Sequence, residues 1–139
     1  FLAIMITWNQ LKTYSYSNPP RIILGRSSDV EEKYKTHKLI HKNITMYLNN
    51  KYFSDDRVKL VFDKNMFPYL CEEGIEHNVL WIHKSIELND EFIQSLEGII
   101  CRKYFKDLED MNTNCVYFRN IEQLQSVKGI PHIHIFIRR

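Results

Sequence analysis

The chain lacks paired cysteines, a dominant charge and any long apolar run, and each absence removes a class of protein. Its three cysteines, Cys71, Cys101 and Cys115, are odd in number and form no CxxC pair. Neither a disulfide framework nor a thiolate zinc site is signalled, so a reducing, intracellular compartment, the cytoplasm, is expected. Lys and Arg number 19 against 17 Asp and Glu, a formal charge of +2. That balance is too small to signal a nucleic-acid partner. Lys33, Lys35, Lys38 and Lys42, with His37 and His41, make one locally basic segment, read as the solvated face of a helix. No apolar stretch approaches the roughly 20 residues of a membrane span. The opening Phe1 to Ile6 also lacks the charged flank and cleavage site of a signal peptide, so no membrane partner is expected. Low-complexity composition is missing too: 44% hydrophobic and 26% charged residues are ordinary globular values that exclude disorder. At 139 residues the chain is expected to be one domain, helical over 1–54 and sheet-bearing over 55–139.

What is present is a clear order of elements. Thr7 and Gln10 have capping-box spacing for a short helix to about Thr13. After Pro19-Pro20, Ser28 and Glu31 form a second capping box, with helical periodicity to about Asn43 and again from Ile44 to Phe53. Val30, Tyr34, His37 or Lys38, and His41 fall near one face of the first of these helices. Period-two alternation then predicts strands over Val58–Asp63, Ile75–Ile82, Cys115–Arg119 and Ile130–Arg138. A helix beginning at Asn89-Asp90-Glu91 is predicted to run to about Leu108. The class is α+β, an antiparallel sheet with flanking helices and a helical N-terminal third.

The last nine residues, Pro131 to Arg139, carry the most chemistry. On a strand His132 and His134 share one face, about 7 Å apart, while Ile133, Ile135 and Ile137 form a core surface on the other. Imidazole titrates nearest neutrality, so a same-face pair suits nucleophilic, acid/base or metal chemistry. His77 shares a face with Val79 and Trp81 on another strand. The turn Gln125 to Gly129, with Ser126 and Lys128, offers N–H groups, a hydroxyl and an ammonium to an anion. Lys84 reads as solvated.

The segments Val61 to Pro68, Gly74 to Trp81, Phe118-Arg119-Asn120 and the terminal Pro-His-Ile-His resemble the histidine-triad superfamily in order and spacing. The Asn-Met-Phe-Pro turn and the Gly-Ile-Glu-His strand are most similar to its galactose-1-phosphate uridylyltransferase and dinucleotide phosphorylase branch. Nearly the whole chain is similar to the N-acetylglucosamine-induced protein 1-like family of fungi. That similarity runs through Trp8, Leu11, Leu24, Arg26-Ser27, Phe67-Pro68-Tyr69, Gly74 to His77, Phe118, Asn120, Ser126-Val127 and His132-Ile133-His134.

The resemblance implies a single histidine-triad-like domain over 1–139 that hydrolyses or transfers nucleotides or nucleotide sugars, with no cofactor or resident metal. It implies that His134 is the nucleophile on phosphorus, that His132 orients it, and that His77 assists around the phosphate. Asn65 matches the residue that contacts the nucleotide sugar, and Asn120 a strand-end asparagine lining the site. A homodimer is expected by the same analogy. The third triad position is Phe136, where hydrolases carry histidine and transferases glutamine. Losing one preorganised donor costs about 2.7–4 kcal/mol at a transition state. Lys128 or Arg26 are the candidates to replace it. Two alternatives stand beside the enzyme: a nucleotide-binding module without turnover, and a metal site built from His77, His132 and His134.

Overall fold

A computed structural model describes residues 3–139; Phe1 and Leu2 of the opening apolar hexapeptide lie outside the described residues. The elements run α1 Trp8–Leu11, α2 Ser28–Ile40, α3 Ile44–Phe53, β1 Leu60–Lys64, β2 Ile75–Ile82, α4 Asp90–Tyr104, α5 Leu108–Asn114, β3 Cys115–Phe118, a 3-10 turn Glu122–Leu124, and β4 His132–Arg138. The fold is α+β as the periodicity predicts. No helix of the described residues is long and apolar enough to cross a membrane.

Local chemistry sets the boundaries. The Thr7 hydroxyl accepts from the backbone N–H of Gln10 at 3.2 Å and starts α1. Helix α2 is capped by Ser27, whose hydroxyl accepts from Val30 N–H, rather than by Ser28 as the capping-box spacing suggests. Asn43 and Asn89 cap α3 and α4 in the same way, each accepting from the N–H three residues on. The predicted helix to Leu108 is instead two helices. Phe105 turns extended, and the Asp107 carboxylate accepts from Asp110 N–H at 2.8 Å to start α5.

The sheet is antiparallel with strand order β1-β2-β4-β3, so β4 is central although it is last in sequence. Alternation divides its residues between two layers. Ile133, Ile135 and Ile137 are fully buried with Leu80 and Ile82 against Leu96 and Ile100 of α4 and Met111 of α5. Truncating any one of these isoleucines to Ala costs ~2–5 kcal/mol. Pairing places His77 opposite Phe136, Val79 opposite His134 and Trp81 opposite His132 on the other face. Trp8, Leu11 and Leu24 cover that face at the Phe136 end, packing with Val116 and Phe118. Leu48 and Phe53 of α3, with Val127 and Ile130, cover it at the Trp81 end. His132 and His134 lie between these two apolar clusters. The turn into β2 requires Gly74, the only described residue with positive φ, at 89°.

Candidate functional site

Three histidines are buried on this face, but they divide into a bonded pair and a separate ring. His77 Nε2 and His134 Nδ1 are 2.8 Å apart. The backbone N–H of Tyr69 donates to His77 Nδ1 at 3.1 Å, so that nitrogen is an acceptor and the neutral ring carries its proton on Nε2. The Nε2–H then donates to His134 Nδ1, which places the His134 proton on Nε2. That nitrogen faces the Asn120 side-chain amide at 3.3 Å, and the same amide lies 3.0 Å from the Tyr69 hydroxyl. The Asn120 nitrogen occupies this position and donates to the Tyr69 hydroxyl; because the His134 N–H needs an acceptor there, we assign the amide the opposite way, its oxygen accepting from the ring N–H and from the hydroxyl. Asn65 borders the network on the other side without joining it. Its side-chain oxygen accepts from Phe67 N–H at 2.8 Å, and its amide nitrogen rests 3.3 Å from His77 Nε2, a contact of two N–H groups.

His132 is arranged differently. Its Nδ1 lies 2.8 Å from the Ile130 carbonyl, and a carbonyl only accepts, so Nδ1 carries the proton. Nε2 is left with a lone pair and no hydrogen-bond partner among the described residues. The ring leans on Trp81, centroids 4.9 Å apart, and stands edge-on to His134 at 5.3 Å.

Burial holds all three rings neutral. It lowers His77 to about 3, helped by the nearby Arg26 charge and by the repulsion that a second protonated ring at His132 would add. It also lowers His134 well below the ordinary imidazole range, helped by His77, His132 and Arg26. His132 is lowered by burial, partly offset by the Ile130 carbonyl, which favours the protonated ring.

His132 and His134 open onto a pocket between the sheet and helices α2 and α3, walled by Tyr34, Tyr52, Phe67 and Trp81. Arg26 and His37 also line it, and no carboxylate does among the described residues. About 50 Å³ is open to the centre of a water-sized group, inside a cleft of about 530 Å³ that reaches solvent. At ~10–15 Å³ per water, the interior holds about three to five waters. The Arg26 Nε donates to the Phe67 carbonyl at 2.7 Å, and its guanidinium lies 4.4 Å from the Tyr34 ring centre and 5.4 Å from that of Tyr69.

Of the residues singled out in the sequence, His77, His134 and Asn120 form one hydrogen-bonded network, and Asn65 touches it at His77. His132 and Ser126 line the pocket beside it. Lys128 does not join them: it is exposed and lines a separate open depression with Arg119, Asn120 and Glu122, because the turn aims it outward. Phe136 does not face the pocket either. It is fully buried, with its ring 4.3 Å from that of His77 and Phe118 behind it. The metal arrangement is not formed, since His77 and His134 direct their nitrogens at each other, and no metal-ligating group of three exists among the described residues. Of the two candidate cations, the fold brings in Arg26. Tyr69, whose backbone fixes one tautomer and whose ring lies 5.4 Å from that of His134, carried no role in the sequence reading. Its place in the Phe67-Pro68-Tyr69 similarity was the available signal.

A family model described as "Protein of unknown function (DUF3605)" matches residues 11–138, and the chain belongs to that family. A solved structure described as "Crystal Structure of HTC1" is similar over 96% of this chain and 85% of that one, with 22% identity and a TM-score of 0.65. That likeness establishes the fold alone. No curated protein matches the chain.

Proposed function

We propose that this DUF3605 protein acts on the phosphate of a nucleotide or nucleotide sugar, hydrolysing or transferring it through a histidine nucleophile of the histidine-triad type. The observation that carries the reading is the His132 ring, with Nδ1–H held by the Ile130 carbonyl and Nε2 unpartnered at a pocket free of carboxylates. The resemblance assigns attack to His134. The hydrogen-bond partners favour His132, because the His134 lone pair is engaged by His77. A neutral imidazole with one locked N–H is the reactive form that covalent catalysis by histidine requires.

In this reading His132 Nε2 bonds to phosphorus as the bond from phosphorus to the leaving oxygen breaks, and that oxygen departs with the electron pair. The ring becomes a cation whose Nδ1–H is stabilised by the Ile130 carbonyl. Water, or the hydroxyl of an acceptor, then attacks phosphorus and loses a proton to solvent, and the bond from phosphorus to Nε2 breaks with its electron pair returning to the ring, which is neutral again. Arg26 supplies positive charge to the phosphate oxygens, and the Ser126 hydroxyl is a further donor at the pocket lining. His77, His134 and Asn120 act as positioning residues behind His132. The aromatic walls suit a base.

The test is a nucleotide and nucleotide-sugar panel with intact-mass detection of an acid-labile, base-stable phosphohistidine. The adduct is expected in the wild type and in His134→Ala, and absent in His132→Ala. An adduct that survives His132→Ala sinks the assignment. A second reading, a binding module without turnover, is favoured by the burial of Phe136, which leaves the third triad position without a donor. Calorimetric nucleotide binding with neither adduct nor turnover would select it.

A further inference from the structure

Helix α2 turns one face to the pocket and another to solvent, and the solvent face near its C-terminus is both apolar and basic. The inner face carries Tyr34, His37 and His41, with the Tyr34 hydroxyl and His37 Nε2 buried without hydrogen-bond partners among the described residues. At 3.6 residues per turn Leu39 and Ile40 fall away from that face, and they stand 76% and 69% exposed. Helix α3 begins four residues after Ile40, and the His41 ring lies 3.9 Å from that of Tyr47. Met46, 58% exposed, therefore belongs to the same corner.

Charge is segregated along this segment. Asp29, Glu31 and Glu32 occupy the start of α2, whereas Lys33 to Ser54 contains five lysines and no carboxylate. Lys35, Leu39 and Lys42 recur at i, i+4 and i+7 and so share one stripe. Neither of these lysines pairs with a carboxylate among the described residues. Lys38 lies beside the stripe, its ammonium 4.5 Å from the Tyr34 ring centre.

We propose that the α2–α3 corner docks on an anionic phospholipid surface, with Leu39, Ile40 and Met46 entering the headgroup boundary and Lys35, Lys38 and Lys42 against the anionic headgroups. The proposal is independent of the phosphate reading. Such docking needs no spanning segment, so the missing long apolar run does not bear on it. A nucleic acid would answer the lysines but leave the aliphatic tips against charged phosphates. A bilayer surface takes both, acyl chains for the tips and headgroup charge for the lysines.

Co-sedimentation of the full chain with phosphatidylcholine vesicles, with and without about one third phosphatidylserine, tests this. Binding is expected only with phosphatidylserine, and it should weaken as salt is raised. Lys35→Gln and Lys42→Gln should each weaken it about fivefold, and Leu39→Ser combined with Ile40→Ser at least about tenfold. All four positions are exposed, so these variants should melt with the wild type. Absence of binding, or equal binding to the two vesicle types, overturns the proposal. Binding that survives Leu39→Ser with Ile40→Ser also overturns it, because the corner is then a general polyanion surface. So does a concentration-dependent dimer that the same pair of substitutions abolishes, since the occupant is then a second copy of the chain.

Discussion

Acidification from about pH 7 to about pH 5 loads protons onto imidazoles of the unfolded chain that the folded chain refuses. The buried His77 ring is held down to about 3, against an ordinary value of 6.5. Through that window the unfolded state binds a proton that the native state does not, so stability falls as the pH falls. The loss starts near the unfolded value and continues until the folded ring itself protonates. For one imidazole that stays neutral, the cost between about pH 7 and about pH 5 is roughly 2 kcal/mol. His134 and His132 are displaced in the same direction by burial and add to it. Three rings set a ceiling of about 6 kcal/mol, against a total stability of about 5–15 kcal/mol for a domain. Urea unfolding at half-unit pH steps should give a midpoint that drops steeply below about pH 6.5, and His77→Gln should flatten the slope by about one third. A stability that is level across the window would refute the reasoning. So would folded ring protons of His77 and His134 titrating near the ordinary imidazole value by NMR.

Phe136→Gln restores a donor at the third triad position but replaces a fully buried ring with an amide among Trp8, Leu11 and Phe118. It should cost ~3–5 kcal/mol in urea unfolding, with no gain in turnover; an equally stable, faster variant would show that the position faces the ligand after all. Gly129→Ala drives a new Cβ into Thr45 Cγ2 and to 2.6 Å from its Oγ1. Rotating Thr45 cannot clear both atoms, so the variant should lose ~1–3 kcal/mol, and Thr45→Ala in the same chain should recover most of it. Purely additive losses in that double mutant would remove the clash as the cause. Asn120→Ala leaves the His134 Nε2–H and the Tyr69 hydroxyl without their shared partner. A loss of ~1–3 kcal/mol in thermal unfolding is expected, and an unchanged melting curve would count against the assigned tautomers.

The sheet was legible because β4 alternates without interruption. Three isoleucines on one face and two histidines on the other leave only one way to orient the strand. Helix α5 was not legible, since Met111 is its one buried residue and a single anchor makes no period. The α2 cap misread by one residue reflects two adjacent serines of equal capping chemistry. At the site, residue types were readable and ring states were not. The protons of His77 and His134 are set by the Tyr69 N–H, and that of His132 by the Ile130 carbonyl, backbone groups that no side-chain pattern announces. Arg26 reaches the pocket from 41 residues before Phe67, the residue that holds its Nε. Tyr34 and His37 were correctly placed on one helix face, but that their polar atoms lack partners is visible only once the helix is docked.

The bond from His132 to the Ile130 carbonyl ties a chemical state to a point of alignment. Ile130 lies just outside β4, and the next carbonyl, that of Pro131, is already taken by the Ile82 N–H at 3.0 Å. The first imidazole of the strand therefore finds a carbonyl that the ladder has not claimed. The protonation of one ring is decided by where strand pairing begins. If β4 moved by two residues against β2, the same side chains would still face the pocket, yet the free carbonyl would meet a different residue. A single-residue shift would instead turn the histidines toward α4. The protonation state of this ring is inherited from register, so substitutions at the ends of β2 and β4, away from the pocket, are able to change which of its nitrogens carries the lone pair.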